Sequence, residues 1–152
     1  MDGYSKKTAS CSSAALLNKR ILSKTEIHQV QGIIEPIDCK SVGAISRVAF
    51  TNCSSFPCDI VRSKTYSIDI TLNPAQDHNS LELHISSIYA GIETSLYNAN
   101  IPVAVTHGKS EILAYPWVVY GHIQPTQSVG VRVQLEADGV VEFCGIIPAN
   151  IW

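Results

Sequence analysis

From Gly43 onward, hydrophobic and polar residues alternate with a period of two, the pattern of strands that bury one face. Tyr66, Ile68, Ile70 and Leu72 alternate with Ser67, Asp69 and Thr71, and Val129, Val131, Val133 and Leu135 alternate with Gly130, Arg132, Gln134 and Glu136. Leu113, Tyr115, Trp117 and Val119 share a third apolar face. Breakers fall between these runs: Asn73-Pro74 through Asn79, Thr106 through Ser110, and Gln124 through Gln127. Asp138-Gly139 stands between two alternating segments and signals a tight hairpin. The pattern predicts strands over 43–51, 64–72, 80–89, 111–123, 127–137 and 139–150, with an irregular edge over 92–104. Pro116 suits an edge or a bulge better than a central strand. Six or seven short antiparallel strands without helical periodicity predict an all-β sandwich or barrel.

Residues 1–35 read differently. Ser, Lys and Thr dominate, and the apolar clusters Ala14–Leu17 and Ile21-Leu22 are split by Asn18-Lys19-Arg20. No secretory signal pattern is visible there. The expectation is a poorly ordered polar tail over 1–35 and one domain over 36–152, long enough for a single core.

Composition narrows the function. Of the 152 residues, 45 % are hydrophobic and 16 % charged, and the net charge is −2. Lys and Arg are scattered, with Arg47, Lys64 and Arg132 on faces read as solvated, so no basic stripe exists to grip nucleic acid. The alternating strands show no buried charge, which suits a neutral or weakly polar guest. His28, His78, His84, His107 and His122 are dispersed, and no nucleophile motif or glycine-rich phosphate loop occurs. An enzyme is therefore not expected, nor is a cofactor or a metal.

Five cysteines, an odd number, leave at least one thiol without an intrachain partner. Cys11 lies in the polar segment, whereas Cys39, Cys53, Cys58 and Cys144 lie in the β-rich part. Cys53 and Cys58 flank a Ser-Ser-Phe-Pro turn that closes readily into a short loop. As half of a metal site, they would need further Cys or His ligands at suitable spacing.

These residues carry a resemblance. Asp38-Cys39, the Cys53–Cys58 loop, Tyr66 eight residues beyond it, and Phe143-Cys144 followed by Ile147-Pro148 stand in the order of the ML lipid-recognition domain family. The family includes a lysosomal cholesterol carrier and the mite group-two allergens. The resemblance covers about Pro36 to Trp152. It implies an immunoglobulin-like β-sandwich, bridges Cys39–Cys144 and Cys53–Cys58, and an apolar cavity between the sheets. Its walls would include Tyr66, Ile68, Trp117, Val129, Val131, Val133 and Leu135, with Leu96 or Tyr97 near the mouth. Three positions depart from the family's sterol carrier. Ile101-Pro102 stands where a Cys-Pro is expected, Gly145 replaces an aromatic and leaves more room or a different shape, and the Pro125–Val129 loop is short. Because these changes lie where ligand selectivity is set, the resemblance implies an apolar guest rather than cholesterol in particular.

The expected function is a carrier that shields a sterol, fatty acid or other lipid and passes it to a membrane or a membrane-protein acceptor. The competing expectation is a lipid-recognition or immune interaction module of the same fold. The resemblance places the protein in the secreted or endolysosomal route. There the Asn52-Cys53-Ser54 sequon would be a glycosylation site.

Overall fold

The computed structural model describes residues 31–152. The expectation for residues 1–30, and for Cys11 with them, lies outside the described residues. Ten strands follow one another: β1 (Gln31–Ile34), β2 (Ile37–Asp38), β3 (Ala44–Thr51), β4 (Cys58–Ile60), β5 (Thr65–Asn73), β6 (Leu81–Tyr89), β7 (Ile92–Ile101), β8 (Glu111–Val118), β9 (Thr126–Ala137) and β10 (Val140–Ile151). No helix occurs among the described residues. One sheet has the order β1-β3-β5-β8. The other runs β2-β10-β9-β6-β7, with the short β4 also pairing with β10. Every pairing is antiparallel except β4 with β10. The architecture is the immunoglobulin-like sandwich the sequence implies, with one core between the sheets.

Local chemistry accounts for the turns. Asp138 and Gly139 have φ of 53° and 76°, the double left-handed conformation of a two-residue hairpin matched to strand twist. Ala90 and Gly91, at 51° and 79°, make the equivalent turn between β6 and β7. Pro116 sits on β8, the edge of its sheet, where a missing N–H costs no ladder bond. Pro148 is also accommodated on β10. The side of β10 away from β9 is covered by β2 at Gly145-Ile146 and by β4 at Ala149–Ile151, and Pro148 falls in the gap between them.

Three short strands depart from the expected pattern. Gln31–Ile34, assigned to the tail, pairs with Val48–Thr51 as β1. Gly32 there lies so close to Cys53 that a Cβ would stand 2.1 Å from the Cys53 carbonyl oxygen. β2 and β4 have two and three residues, too few for a periodic signal. The expected strand over 111–123 ends at Val118, and the Pro125–Val129 loop is instead the irregular start of β9, where Ser128 adopts φ of 56°.

Candidate functional site

The residues expected to wall a cavity come from both sheets. Tyr66 and Ile68 of β5 and Trp117 of β8 face inward from one sheet, while Val129, Val131, Val133 and Leu135 of β9 face inward from the other. All seven are buried, Trp117 and Val131 completely. Phe50 of β3, which the sequence did not single out, stacks on Tyr66 with ring centroids 5.6 Å apart and tilts against Trp117 at 6.3 Å. Tyr66 also meets Trp117 at 6.3 Å, which closes an aromatic triad. The Val61 N–H donates to the Tyr66 hydroxyl at 2.8 Å, so the polar end of Tyr66 is already engaged. The indole Nε1–H of Trp117 is buried and has no hydrogen-bond partner.

Leu96 and Tyr97 are neighbours in sequence, and strict alternation would send them to opposite faces. A register shift puts Ser95 opposite Ser86 and Tyr97 opposite Ile85, leaving Leu96 as the extra, bulged residue. Both then reach the core: Leu96 is buried and Tyr97 packs half-buried against it. Tyr97 lies against Tyr120 with centroids 5.8 Å apart, and Tyr120 stacks on His122 at 5.5 Å. Burial, then the neighbouring Tyr115 and Tyr120 side chains, hold the Tyr97 phenol above its ordinary range. β7 and β8 are the edges of their respective sheets, so Tyr97, Tyr115 and Tyr120 form an aromatic rim where the sandwich has no covering strand.

The bridges Cys39–Cys144 and Cys53–Cys58 are both formed, with Cα separations of 5.0 and 5.5 Å. Cys53 and Cys58 thus complete no metal site. Asn52 is exposed beside the second bridge, at φ of 55°. Gly145 does not leave the extra room expected of it. A Cβ there would meet the Phe143 ring at 2.7 Å and Pro36 at 3.0 Å, so that space is already filled.

The expectation of strands without buried charge also needs correction, because Glu142 of β10 has no solvent exposure. Its carboxylate is held in a polar knot. The Ala75 and Gln76 N–H groups donate to its two oxygens at 2.8 and 3.2 Å, and His78 Nε2 stands 2.7 Å from Oε2. The other ring nitrogen of His78 lies 2.8 Å from Asp138 Oδ2. Burial alone would lower the His78 pKa, but hydrogen bonds to Asp138 and Glu142 outweigh it, and the net shift is upward. The Glu142 signal was invisible in sequence because its partners lie more than 60 positions away. His78 is fully enclosed, so it ties the 74–79 loop to the β9–β10 hairpin and meets no external molecule.

No family model matches the sequence, and no curated protein matches it. Among solved structures, the fold is similar to the crystal structure of a Niemann-Pick type C2 protein from Japanese carpenter ant. The TM-score is 0.66 at 16 % sequence identity, covering 78 % of this chain and 100 % of that one. The chain therefore shares the β-sandwich fold of that protein.

Proposed function

We propose that this domain binds an apolar small molecule, a sterol, fatty acid or other lipid, between its two sheets and carries it to a membrane or a protein acceptor. The observation that carries the reading is the Trp117 indole N–H, a buried donor without a partner on a ring packed against Phe50 and Tyr66. Such a group costs on the order of 1–3 kcal/mol while unpaired, and a guest bearing a hydroxyl or carbonyl oxygen would relieve that cost. Apolar burial at roughly 25 cal/mol per Å² would supply the rest of the affinity without a charged anchor.

The fold likeness and the motif resemblance support the same reading. The wall consists of Tyr66, Ile68, Trp117, Val129, Val131, Val133 and Leu135, with Leu96 and Tyr97 at the mouth. Entry is through the aromatic rim between β7 and β8, where the sheets must separate, since well-packed sheets fill their interior with side chains. Secretion or residence in an endolysosomal compartment, with a glycan on Asn52, accords with the two bridges. No reaction is assigned to the domain.

The test is organic extraction of the purified full chain followed by mass spectrometry, with displacement of a fluorescent sterol and a fluorescent fatty acid. Recovery of a stoichiometric lipid, or saturable displacement, is the expected result. A protein that yields no lipid and binds neither probe is a packed sandwich or a pure interaction module, and the carrier reading is then wrong.

A further inference from the structure

On the outer face of the second sheet, Glu82 of β6 lies directly opposite Glu136 of β9. Two like charges facing each other across neighbouring strands destabilise a sheet unless something positive stands between them. His84, two residues along the same face from Glu82, turns Nε2 toward both carboxylates. It stands 3.3 Å from Glu82 Oε1 and 3.3 Å from Glu136 Oε2. Although the ring is partly exposed, Nε2 itself is shielded from solvent and hydrogen-bonds to neither oxygen. A protonated His84 would pair with both carboxylates at once, with a single Nε2–H to divide between them.

A metal ion satisfies the same distances. Tetrahedral coordination with metal–ligand bonds of about 2.0–2.1 Å places ligand atoms about 3.3–3.4 Å apart. The two Nε2–oxygen separations match that spacing, and all three candidate ligand atoms lie within 4.8 Å of one another. The surrounding groups are arranged as they are around metal ligands. His84 Nδ1 lies 2.7 Å from Asn98 Oδ1, which can only accept, so Nδ1 carries the proton and the Nε2 lone pair is free to face the carboxylates. Asn98 is held in that orientation by donating Nδ2–H to Ser95 Oγ at 3.1 Å. The Gln134 amide donates to Glu136 Oε1 at 2.7 Å, which leaves Oε2 as the free oxygen aimed at His84.

We propose that Glu82, His84 and Glu136 form a divalent-metal site of the zinc type. The imidazole and two carboxylates would be ligands, and the fourth position would be open to water or to a partner's side chain. One imidazole and two carboxylates neutralise a 2+ ion and remove the repulsion between the facing glutamates. The donor set favours zinc or a neighbouring transition ion over calcium, which takes six or more oxygens. Dispersed spacing hid the site: the ligands come from two strands and meet only through the β6–β9 register.

The test is calorimetric titration of the full chain with Zn2+ and visible spectroscopy with Co2+, for the wild type and for His84→Gln, Glu136→Gln, Asn98→Ala and His122→Gln. The expected result is one ion per chain with a tetrahedral Co2+ spectrum. His84→Gln and Glu136→Gln should weaken binding at least tenfold, Asn98→Ala about tenfold, and His122→Gln not at all. All four substitutions are at residues with exposed or partly exposed side chains, so thermal melts should confirm that the variants fold. Absence of saturable binding by the wild type, or undiminished binding by both folded ligand variants, overturns the proposal.

Discussion

His78 Nε2 and Glu142 Oε2 stand 2.7 Å apart with neither side chain open to solvent, and the opposite ring nitrogen of His78 meets Asp138. Only the imidazolium can donate to both carboxylates at once; the neutral ring must turn a lone pair toward one of them. The folded pKa of His78 is raised above its ordinary 6.5. The stabilisation is therefore fully present below about pH 6.5 and is lost as pH rises through the folded value. Thermal melts of the wild type should rise in midpoint from pH 8 to pH 6, and His78→Gln should flatten that dependence. An equal slope in both proteins would show that His78 does not control it.

Glu142→Ala removes the acceptor of two backbone N–H groups and of His78 in one step. Breaking a buried charged pair from one side costs about 3–5 kcal/mol. Denaturant unfolding should show a loss of that order, whereas Glu82→Ala on the exposed face should change stability by less than about 1 kcal/mol.

The two bridges should differ in weight. Cys39–Cys144 has a sequence separation of 105 and Cys53–Cys58 of 5. Constraint of the unfolded chain then predicts about 4–5 kcal/mol for the first and about 2 kcal/mol for the second. Paired Cys→Ser substitutions measured by urea unfolding will test the order. A larger loss from the short bridge would mean that it acts through the Gly32–Cys53 contact rather than through chain entropy.

Trp117→Phe keeps most of the aromatic volume and deletes the unpaired donor. If a guest's oxygen accepts from Nε1, affinity for a sterol alcohol or fatty acid should fall about tenfold, corresponding to about 1.4 kcal/mol, while affinity for a lipid lacking that oxygen stays constant. Tyr97→Ala, at the half-buried rim, should instead speed both entry and release of a fluorescent ligand. A charge placed at Val133 is a poorer probe, because that residue is 1 % exposed and an arginine there would disrupt the core.

Much of the sandwich is legible in the chain because its long strands bury one face each. β5 and β9 show the clean alternation of Tyr66–Leu72 and Val129–Leu135, and Asp138-Gly139 marks the turn it makes. β1, β2 and β4 are hidden for the opposite reason: two to four residues cannot display a period. Glu142 breaks the expected pattern because its burial depends on Ala75, Gln76 and His78, which meet it only after folding. Leu96 and Tyr97 share the core through a bulge, which alternation cannot foresee.

The side of β10 away from β9 is guarded by two small pieces of chain, and each is anchored by cystine. Cys39 directly follows β2 and is bonded to Cys144 of β10, while Cys58 opens β4 and is bonded to Cys53. A reducing compartment would free both guards and bare the margin of a twelve-residue strand, interrupted by Pro148. Bare strand margins template pairing between chains. Reduction would thus add the β10 margin to the edges already present at β1, β7 and β8, so the thiol state of the surroundings would alter the tendency to pair between chains as well as the stability.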